Sequence, residues 1–491
     1  MTNSSGSGGR AQPVPRRANR RAGTGSSRPA GGPQPATPPR GATDPARRVA
    51  FDVLQAVGQR GAYANLVLPG LLRERGLDGR DAALATELAY GTVRSQGTLD
   101  AIIAACSGRA PDALDSGVLD VLRLGAYQLL RTRIPPHAAV SATVDLARST
   151  GSGRAAGLVN AVLRRVAERD WNTWADRIAD PPTALGRLAA RYAHPTWIVE
   201  AFTAALGPAA EDELGSALAA DDARPDTHLV ARPGRIGTAE LIEAAPGAEA
   251  GPYSPYAVRM GGGDPGALAA VRDGRAGVQD EGSQLCAIAL ATAPVAGRDE
   301  HWLDLCAGPG GKAALLAALA AGRGARLTAN ELREHRAVLV RQATAFWDVP
   351  VLVGDAADVP PRGSGRDDGY DRILLDAPCT GLGALRRRPE ARWRRHPADV
   401  ADLAALQSRL LDAAARLVRP GGVVGYVTCS PHLGETVDVV TAAISRLGLE
   451  PVDARPHFAG VPRLGAGPTV QLWPHRQGTD AMFCALLRRP D

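Results

Sequence analysis

Five short apolar segments, residues 302–306, 326–331, 351–354, 372–376 and 423–427, alternate with alanine- and leucine-rich stretches of helical character, and no other feature constrains this 491-residue chain as tightly. Strands that alternate with helices pair in parallel, because each crossover helix returns the chain to the same end of the sheet and covers one of its faces. Residues 279–491 are therefore expected to form an α/β domain of Rossmann-like architecture. In such sheets ligands sit beyond the carboxyl ends of the strands. The chemically unusual residues of the sequence fall there.

The first strand runs through LDLCAGPGGK, residues 303–312, into a helix from Ala313. Cys306, Ala307, Gly308, Pro309, Gly310, Gly311 and Lys312 form the turn, where glycines let a ligand approach the backbone closely. Such turns also hold dinucleotides or simply make corners. Three acids narrow the choice. Asp304 lies in the first strand, Glu331 closes the second at a position suited to accepting both hydroxyls of a ribose, and Asp355 follows the third, within reach of an adenine edge. Neither GxGxxG nor a Walker lysine motif is present, which disfavours NAD and ATP. S-adenosyl-L-methionine fits better. Lys312 is the only lysine of the chain; it reads either as a helix-start charge or as a source of positive potential beside the ligand.

The fourth strand delivers ILLDAPCTG, residues 373–381, and the fifth YVTCSP, residues 426–431, which places Asp376, Cys379 and Cys429 in one cleft. Two thiols and a carboxylate suit one difficult reaction. Cytosine C5 is too poor a nucleophile to accept a methyl group unaided, but a thiolate that adds to C6 makes C5 enamine-like. A carboxyl group at N3 stabilises the adduct, and loss of the C5 proton releases the thiolate. Between the two cysteines lies a basic stretch, Arg386, Arg387, Arg388, Arg392, Trp393, Arg394 and Arg395, opposed only by Glu390. An indole among arginines beside a catalytic thiol is what single-stranded RNA recognition needs, and Arg386, Arg387, Arg388 and Trp393 are the expected RNA contacts. The target base must leave its stack to reach the cleft.

Upstream the grammar is different. Residues 46–170 show helical periodicity, with Val49, Val53, Leu54 and Val57, then Val118, Leu122 and Leu129, then Leu158, Val159, Val162, Leu163 and Val166 each lining one face, and Gly/Pro breaks between. This is a compact all-α bundle. Residues 171–278 mix a helical stretch near 185–206 with short apolar pieces such as residues 228–230 and are expected to form a small α+β connector. Residues 1–45 form a Pro/Gly/Ser-rich basic arm too polar to order itself. Up to residue 48 the chain carries nine arginines against Asp44 alone, so the formal charge of +6 belongs to this arm and the remainder is slightly acidic. Such an arm is either a plain solvated tail or a source of unspecific attraction to polyphosphate.

The 45% apolar fraction contains no run of about 18 apolar residues, so no membrane span is expected, and the N-terminus lacks a secretory apolar stretch. A cytoplasmic location follows as an expectation, with the six cysteines as free thiols and without the spacing of a metal site. A monomer is expected.

The motifs LDLCAGPGGK, LLDAPCTGLGALRRRPEARWR and TCSPHLGET resemble those of the RNA cytosine-C5 methyltransferases. ARRVAFDVLQAV, ELAYGTVR, LRLGAYQLL and GLVNAVLRR resemble the NusB-like RNA-binding domain of antitermination and ribosomal-RNA-modifying proteins. Together with VQDEGSQL, residues 278–285, they resemble the RsmB/Sun/Fmu branch over roughly residues 46–489. The resemblance implies that small-subunit (16S) ribosomal RNA is the substrate, that Cys429 is the nucleophile, and that Cys379 assists product release. It further implies that Asp376 contacts base and cofactor, while residues 306–312, Glu331 and Asp355 bind S-adenosyl-L-methionine. Two positions depart from the family pattern: Gly308 replaces the more usual alanine before PGGK, and Glu331 stands where many members carry aspartate. The competing readings are a DNA cytosine-C5 methyltransferase, which uses the Pro-Cys cysteine as nucleophile and needs no TCS cysteine, and a non-catalytic RNA-binding or antitermination factor with a degenerate cofactor fold.

Overall fold

The structure is a computed structural model that describes residues 44–363 and 368–491; the expected basic arm lies almost wholly outside the described residues. The first helix, Pro45–Arg60, starts where Asp44 accepts the Arg47 amide at 2.9 Å and Pro45 presets the first turn, and it stops at Gly61 with φ 64°. Helices Ala64–Glu74, Gly79–Arg94, Gln96–Ser107, Ser116–Arg131, Pro136–Ser149 and Ala156–Val166 follow, broken at the Gly/Pro positions expected from sequence. Val49, Val53, Leu54 and Val57 share one core with Val118, Leu122, Val159, Val162, Leu163 and Val166. The next helix, Trp171–Ile178, adds Trp171 and Trp174 to that core, the Trp174 indole donating to the Val166 carbonyl at 2.9 Å.

The connector has two parts. Helices Ala184–Arg191, Thr196–Leu206 and Ala210–Asp222 bury Ile198, Phe202 and Leu218 against Leu382, Leu385 and Trp473. Strands β1 (His228–Ala231), β2 (Glu249–Ala250), β3 (Ala257–Arg259) and β4 (Ala276–Val278) form an antiparallel sheet of order β2-β3-β1-β4. Leu229, Leu241 and Val258 give it a small core of its own.

In the C-terminal domain β5 (His301–Asp304), β6 (Arg326–Glu331), β7 (Val351–Val353), β8 (Tyr370–Asp376) and β9 (Val418–Thr428) pair in parallel, in the order β7-β6-β5-β8-β9. The expectation of a purely parallel sheet is corrected beyond β9. Helix Val437–Leu447 carries the chain past β9 to β10 (Glu450–Val452), β11 (Val470–Gln471) follows, and β12 (Phe483–Arg488) fills the gap antiparallel to both β9 and β10, with β11 on its edge. No α-helix longer than one turn separates β10 from β12, so no crossover forces the last strand into the parallel direction. Strand order reverses between β5 and β8, and this opens the crevice in which Asp304 and Asp376 end their strands.

The basic stretch after Cys379 joins the parts. The Trp393 indole lies on Gly97, where a Cβ would come within 2.3 Å of the ring, and its Nε1 donates to the Val93 carbonyl at 2.9 Å. Arg394 donates to the carbonyls of Val57, Gly61 and Ala62 at 2.8, 3.0 and 2.7 Å, closing the end of the first helix. Arg392 is fully buried and donates to the carbonyls of Ala193 and Asp221 at 2.9 and 3.2 Å. Among the described residues no helix is long and apolar enough to cross a membrane.

Candidate active site

Helix Gly311–Ala321 begins directly after the turn at residues 306–310, with Gly310 at φ 108°, a conformation that L side chains rarely adopt. The Ala307 amide donates to the Asn330 carbonyl at 2.8 Å, and the Asn330 side chain donates to Leu305 and Gly354 carbonyls at 3.1 and 3.3 Å. Asn330 thus stitches together the ends of β5, β6 and β7. Glu331 is buried, its Oε2 accepting the Gly308 amide at 3.0 Å and its Oε1 the Arg333 amide at 2.9 Å. Pro309 precedes the open side of the turn, and burial raises the Cys306 thiol far above its usual range. Asp355 caps the short turn Ala356–Asp358 by accepting the Ala357 amide at 3.0 Å and faces Arg409 at 3.4 Å.

Asp304 is completely buried, and among the described residues neither carboxyl oxygen has a hydrogen-bond partner. Burial, with the charge of Asp376 adding to it, pushes its pKa up to about 8. The folded state therefore binds a proton that the unfolded state has already released at neutral pH. The stability this gives is complete below the ordinary carboxylate range and is lost as pH rises through about 8. In the ligand-free protein Tm is expected to fall from pH 6 to pH 9, and to fall by several degrees less in Asp304→Asn, whose side chain cannot ionise. Thermal melts with the same pH slope for both proteins would show that Asp304 ionises normally. An orphaned, buried carboxyl beside a glycine cradle is also a fit for a cofactor that carries an ammonium and a sulfonium.

Lys312 donates to Asp376 Oδ2 at 2.8 Å. Burial opposes the lysine's charge, but the Asp376 carboxylate outweighs it and holds the ammonium protonated. Alongside, the Cys379 and Cys429 sulfurs are 3.5 Å apart. The shared hydrogen bond from Cys379 lowers the Cys429 pKa, with the charges of Lys312 and Arg388 assisting and burial and Asp376 opposing. The same bond raises Cys379, together with burial and the nearby charge on Glu435. The pair is asymmetric chiefly through the bond the two sulfurs share, and the cations Lys312 and Arg388 act on Cys429 while, among the described residues, no cation acts on Cys379.

Glu435 escapes a reading of the sequence. It is fully buried and binds both cysteine loops: Oε1 accepts the Thr380 amide at 2.7 Å, and Oε2 accepts the Thr380 hydroxyl and the Ser430 hydroxyl, the latter at 2.7 Å. Gln407 reaches the same carboxylate at 3.3 Å and the Pro378 carbonyl at 2.8 Å. Nothing in its local sequence marks it beyond an acid six positions after Cys429; Asn330 is equally unmarked.

Three of the four residues expected to face RNA have partners within the fold. Arg386 and Arg387 pair with Asp480 at 3.0 and 2.9 Å, and Arg387 also with Asp280 at 2.8 Å, in a network tied to the connector. Trp393 is spent on the helical bundle, as described above. Their cationic and aromatic groups already have partners within the fold. Arg388 differs: it is exposed and, among the described residues, its guanidinium forms no hydrogen bond or ion pair.

The family model described as 16S rRNA methyltransferase RsmB/F matches residues 290–488, and that of the NusB family matches residues 44–168. A Mycobacterium tuberculosis (strain ATCC 25618 / H37Rv) protein named only as a methyltransferase, Rv1407, is 57% identical over 458 residues, 92% of this chain and 98% of that protein. Ribosomal RNA small subunit methyltransferase B of Pseudomonas putida (strain KT2440) is 35% identical over 409 residues, 82% of this chain and 89% of that one. Among solved structures, that of the protein PH0851 covers 93% of this chain and 100% of its own with a TM-score of 0.74 at 23% identity, a likeness of fold. The chain belongs to the RsmB/F family of 16S rRNA methyltransferases and is an S-adenosyl-L-methionine-dependent enzyme.

Proposed function

We propose that the chain methylates C5 of a cytosine in small-subunit ribosomal RNA through a covalent adduct between Cys429 and C6. The observation that carries this reading is the sulfur pair just beyond the ends of β8 and β9: Cys429, favoured as thiolate, 3.5 Å from a protonated Cys379 and next to the Lys312–Asp376 ion pair. The ribosomal substrate is supported by the relatives named small subunit methyltransferase B and by the NusB match at residues 44–168.

Cys306, Ala307, Gly308, Pro309, Gly310, Gly311, Lys312, Glu331, Asp355 and Asp376 would hold S-adenosyl-L-methionine, which supplies an electrophilic methyl group when bound. Glu331 is already oriented by two backbone amides, so a ribose meets a carboxylate that need not be reorganised. Cys429 Sγ forms a bond to C6, and the electrons displaced onto the ring are taken up at N3 by a proton delivered from the Lys312–Asp376 pair, whose transferable proton is held on Lys312 beforehand. After C5 is methylated its proton passes to a water molecule acting as base, the C6–S bond breaks to release Cys429 as thiolate, and N3 returns its proton to the Lys312–Asp376 pair. Cys379 stands where it can hold a proton for the first step and act in the last.

The test uses the purified full chain, 16S rRNA transcript and methyl-labelled S-adenosyl-L-methionine, followed by digestion to nucleosides. Label in 5-methylcytidine, and one new bisulfite-resistant cytosine in the transcript, is the expected result. Label in a methylated ribose, or in another base, overturns the assignment.

A further inference from the structure

We infer that the NusB-like bundle supplies part of the catalytic mouth: Tyr63, with Arg388, forms a two-domain clamp that stacks an unpaired nucleotide next to the target cytosine. The inference rests on the RNA substrate proposed above and adds residues of a domain that carries none of the proposed cofactor-binding or catalytic groups.

Of the six arginines between residues 386 and 395, five are tied into the fold. Arg386 and Arg387 meet aspartates, Arg392 and Arg394 meet backbone carbonyls, and Arg395 donates to the Thr380 carbonyl at 3.1 Å. Among the described residues the Arg388 guanidinium alone has no such partner, while its backbone is held in place. Its amide donates to the Ala384 carbonyl at 3.1 Å, and that turn is anchored where the Gly383 amide donates to the Cys429 carbonyl at 2.9 Å. The guanidinium is close enough to Cys429 to favour its thiolate. A guanidinium without a carboxylate or carbonyl to bond, on a backbone anchored to the Cys429 loop, is placed to meet the phosphate of an incoming strand.

The group beside it comes from the other domain. Tyr63 is 46% exposed, and the guanidinium carbons of Arg388 and Arg394 lie 5.9 and 5.6 Å from its ring centre. No hydrogen bond is made by its hydroxyl among the described residues. Arg394 also grips the carbonyls of Gly61 and Ala62, the two residues just before Tyr63, so the ring is set relative to the catalytic loop and not merely near it. A large aromatic side chain left half in water at such a seam offers a face to a base, and bases of every kind stack on such faces. Asn65 and the 72% exposed Leu66 follow it, also exposed, at the start of helix Ala64–Glu74.

The test measures KM for 16S rRNA transcript, affinity for S-adenosyl-L-methionine and Tm in the full chain with Tyr63→Ala, Tyr63→Phe and Arg388→Ala. Stacking predicts a KM for RNA raised about tenfold in Tyr63→Ala and within about twofold of wild type in Tyr63→Phe, with cofactor affinity and Tm unchanged in both. Arg388→Ala should also weaken RNA, and the salt dependence of RNA binding should become shallower. An RNA KM unchanged by Tyr63→Ala, or equal damage from Tyr63→Phe, overturns the clamp while leaving the methyltransferase reading intact. A wild-type protein that neither binds nor methylates the transcript overturns both.

Discussion

Cys429→Ala is expected to lose methyl transfer by about 10⁴-fold or more, the scale on which removal of a catalytic nucleophile acts, while keeping its affinity for RNA and S-adenosyl-L-methionine. The structure supplies a reason for assigning the two sulfurs differently. The bond between the sulfurs lowers Cys429 and raises Cys379, and only Cys429 has Lys312 and Arg388 near enough to favour its anion, against the opposing charge of Asp376. Cys379→Ala therefore retains the group that attacks C6 and loses the one placed to help the adduct resolve. That variant should accumulate protein crosslinked to RNA, visible as a shifted band on a denaturing gel, and the band should vanish in the double variant. A band in Cys429→Ala and none in Cys379→Ala would reverse the assignment and restore the mechanism of DNA cytosine methyltransferases. The experiment has to be read with folding in view, because each cysteine neighbours a residue bound to Glu435. Alanine at either sulfur leaves those bonds in place, so Tm should change little.

What could be read from the sequence and what could not divides along the range of the interactions. The five parallel strands and the acids at their ends are legible because a strand, its turn and its helix are written in about thirty consecutive residues, and the strand-order rule then brings their ends together. The position of β12 is not, since its partners β9 and β10 are chosen by a vacancy in the sheet and not by any local pattern. The arginine stretch misleads for the same reason. Read locally it is a bare cationic loop, but Arg387 finds Asp280, 107 residues away, and the Trp393 indole finds the Val93 carbonyl, 300 residues away. Composition places the charges, and only tertiary structure says which of them remain unpaired. Arg388 is the residue for which that difference matters. Glu435 was invisible because a single acid in a loop is ordinarily a surface charge; its importance lies in being the one buried carboxylate that both cysteine loops share.

The second large effect concerns the two departures from the family pattern, Gly308 and Glu331, which the structure places against each other. A Cβ added at Gly308 would lie 2.1 Å from Glu331 Oε2 and 2.9 Å from its Cδ, with Arg336 Nε at 3.0 Å. The Gly308 backbone does not occupy the left-handed region, so alanine strains nothing locally, and the atoms it strikes belong to a side chain that can swing away. Folding should therefore survive Gly308→Ala. What does not survive is the carboxylate's position, along with its bond to the Gly308 amide at 3.0 Å. If Glu331 holds the ribose, Gly308→Ala should weaken S-adenosyl-L-methionine binding by about 1–3 kcal/mol, which is what a charged hydrogen-bonding partner contributes. Glu331→Asp alone should also weaken binding, because one methylene less draws the carboxylate back from the amide. The pair Gly308→Ala/Glu331→Asp should recover most of the loss, since the shorter acid makes room for the methyl group that the longer one cannot accommodate. Calorimetry on the four proteins gives the interaction energy directly, and we expect it to exceed about 1 kcal/mol in the compensating direction. Strictly additive losses would mean that the glycine and the glutamate were acquired independently and that the close approach at residue 308 has no bearing on the cofactor.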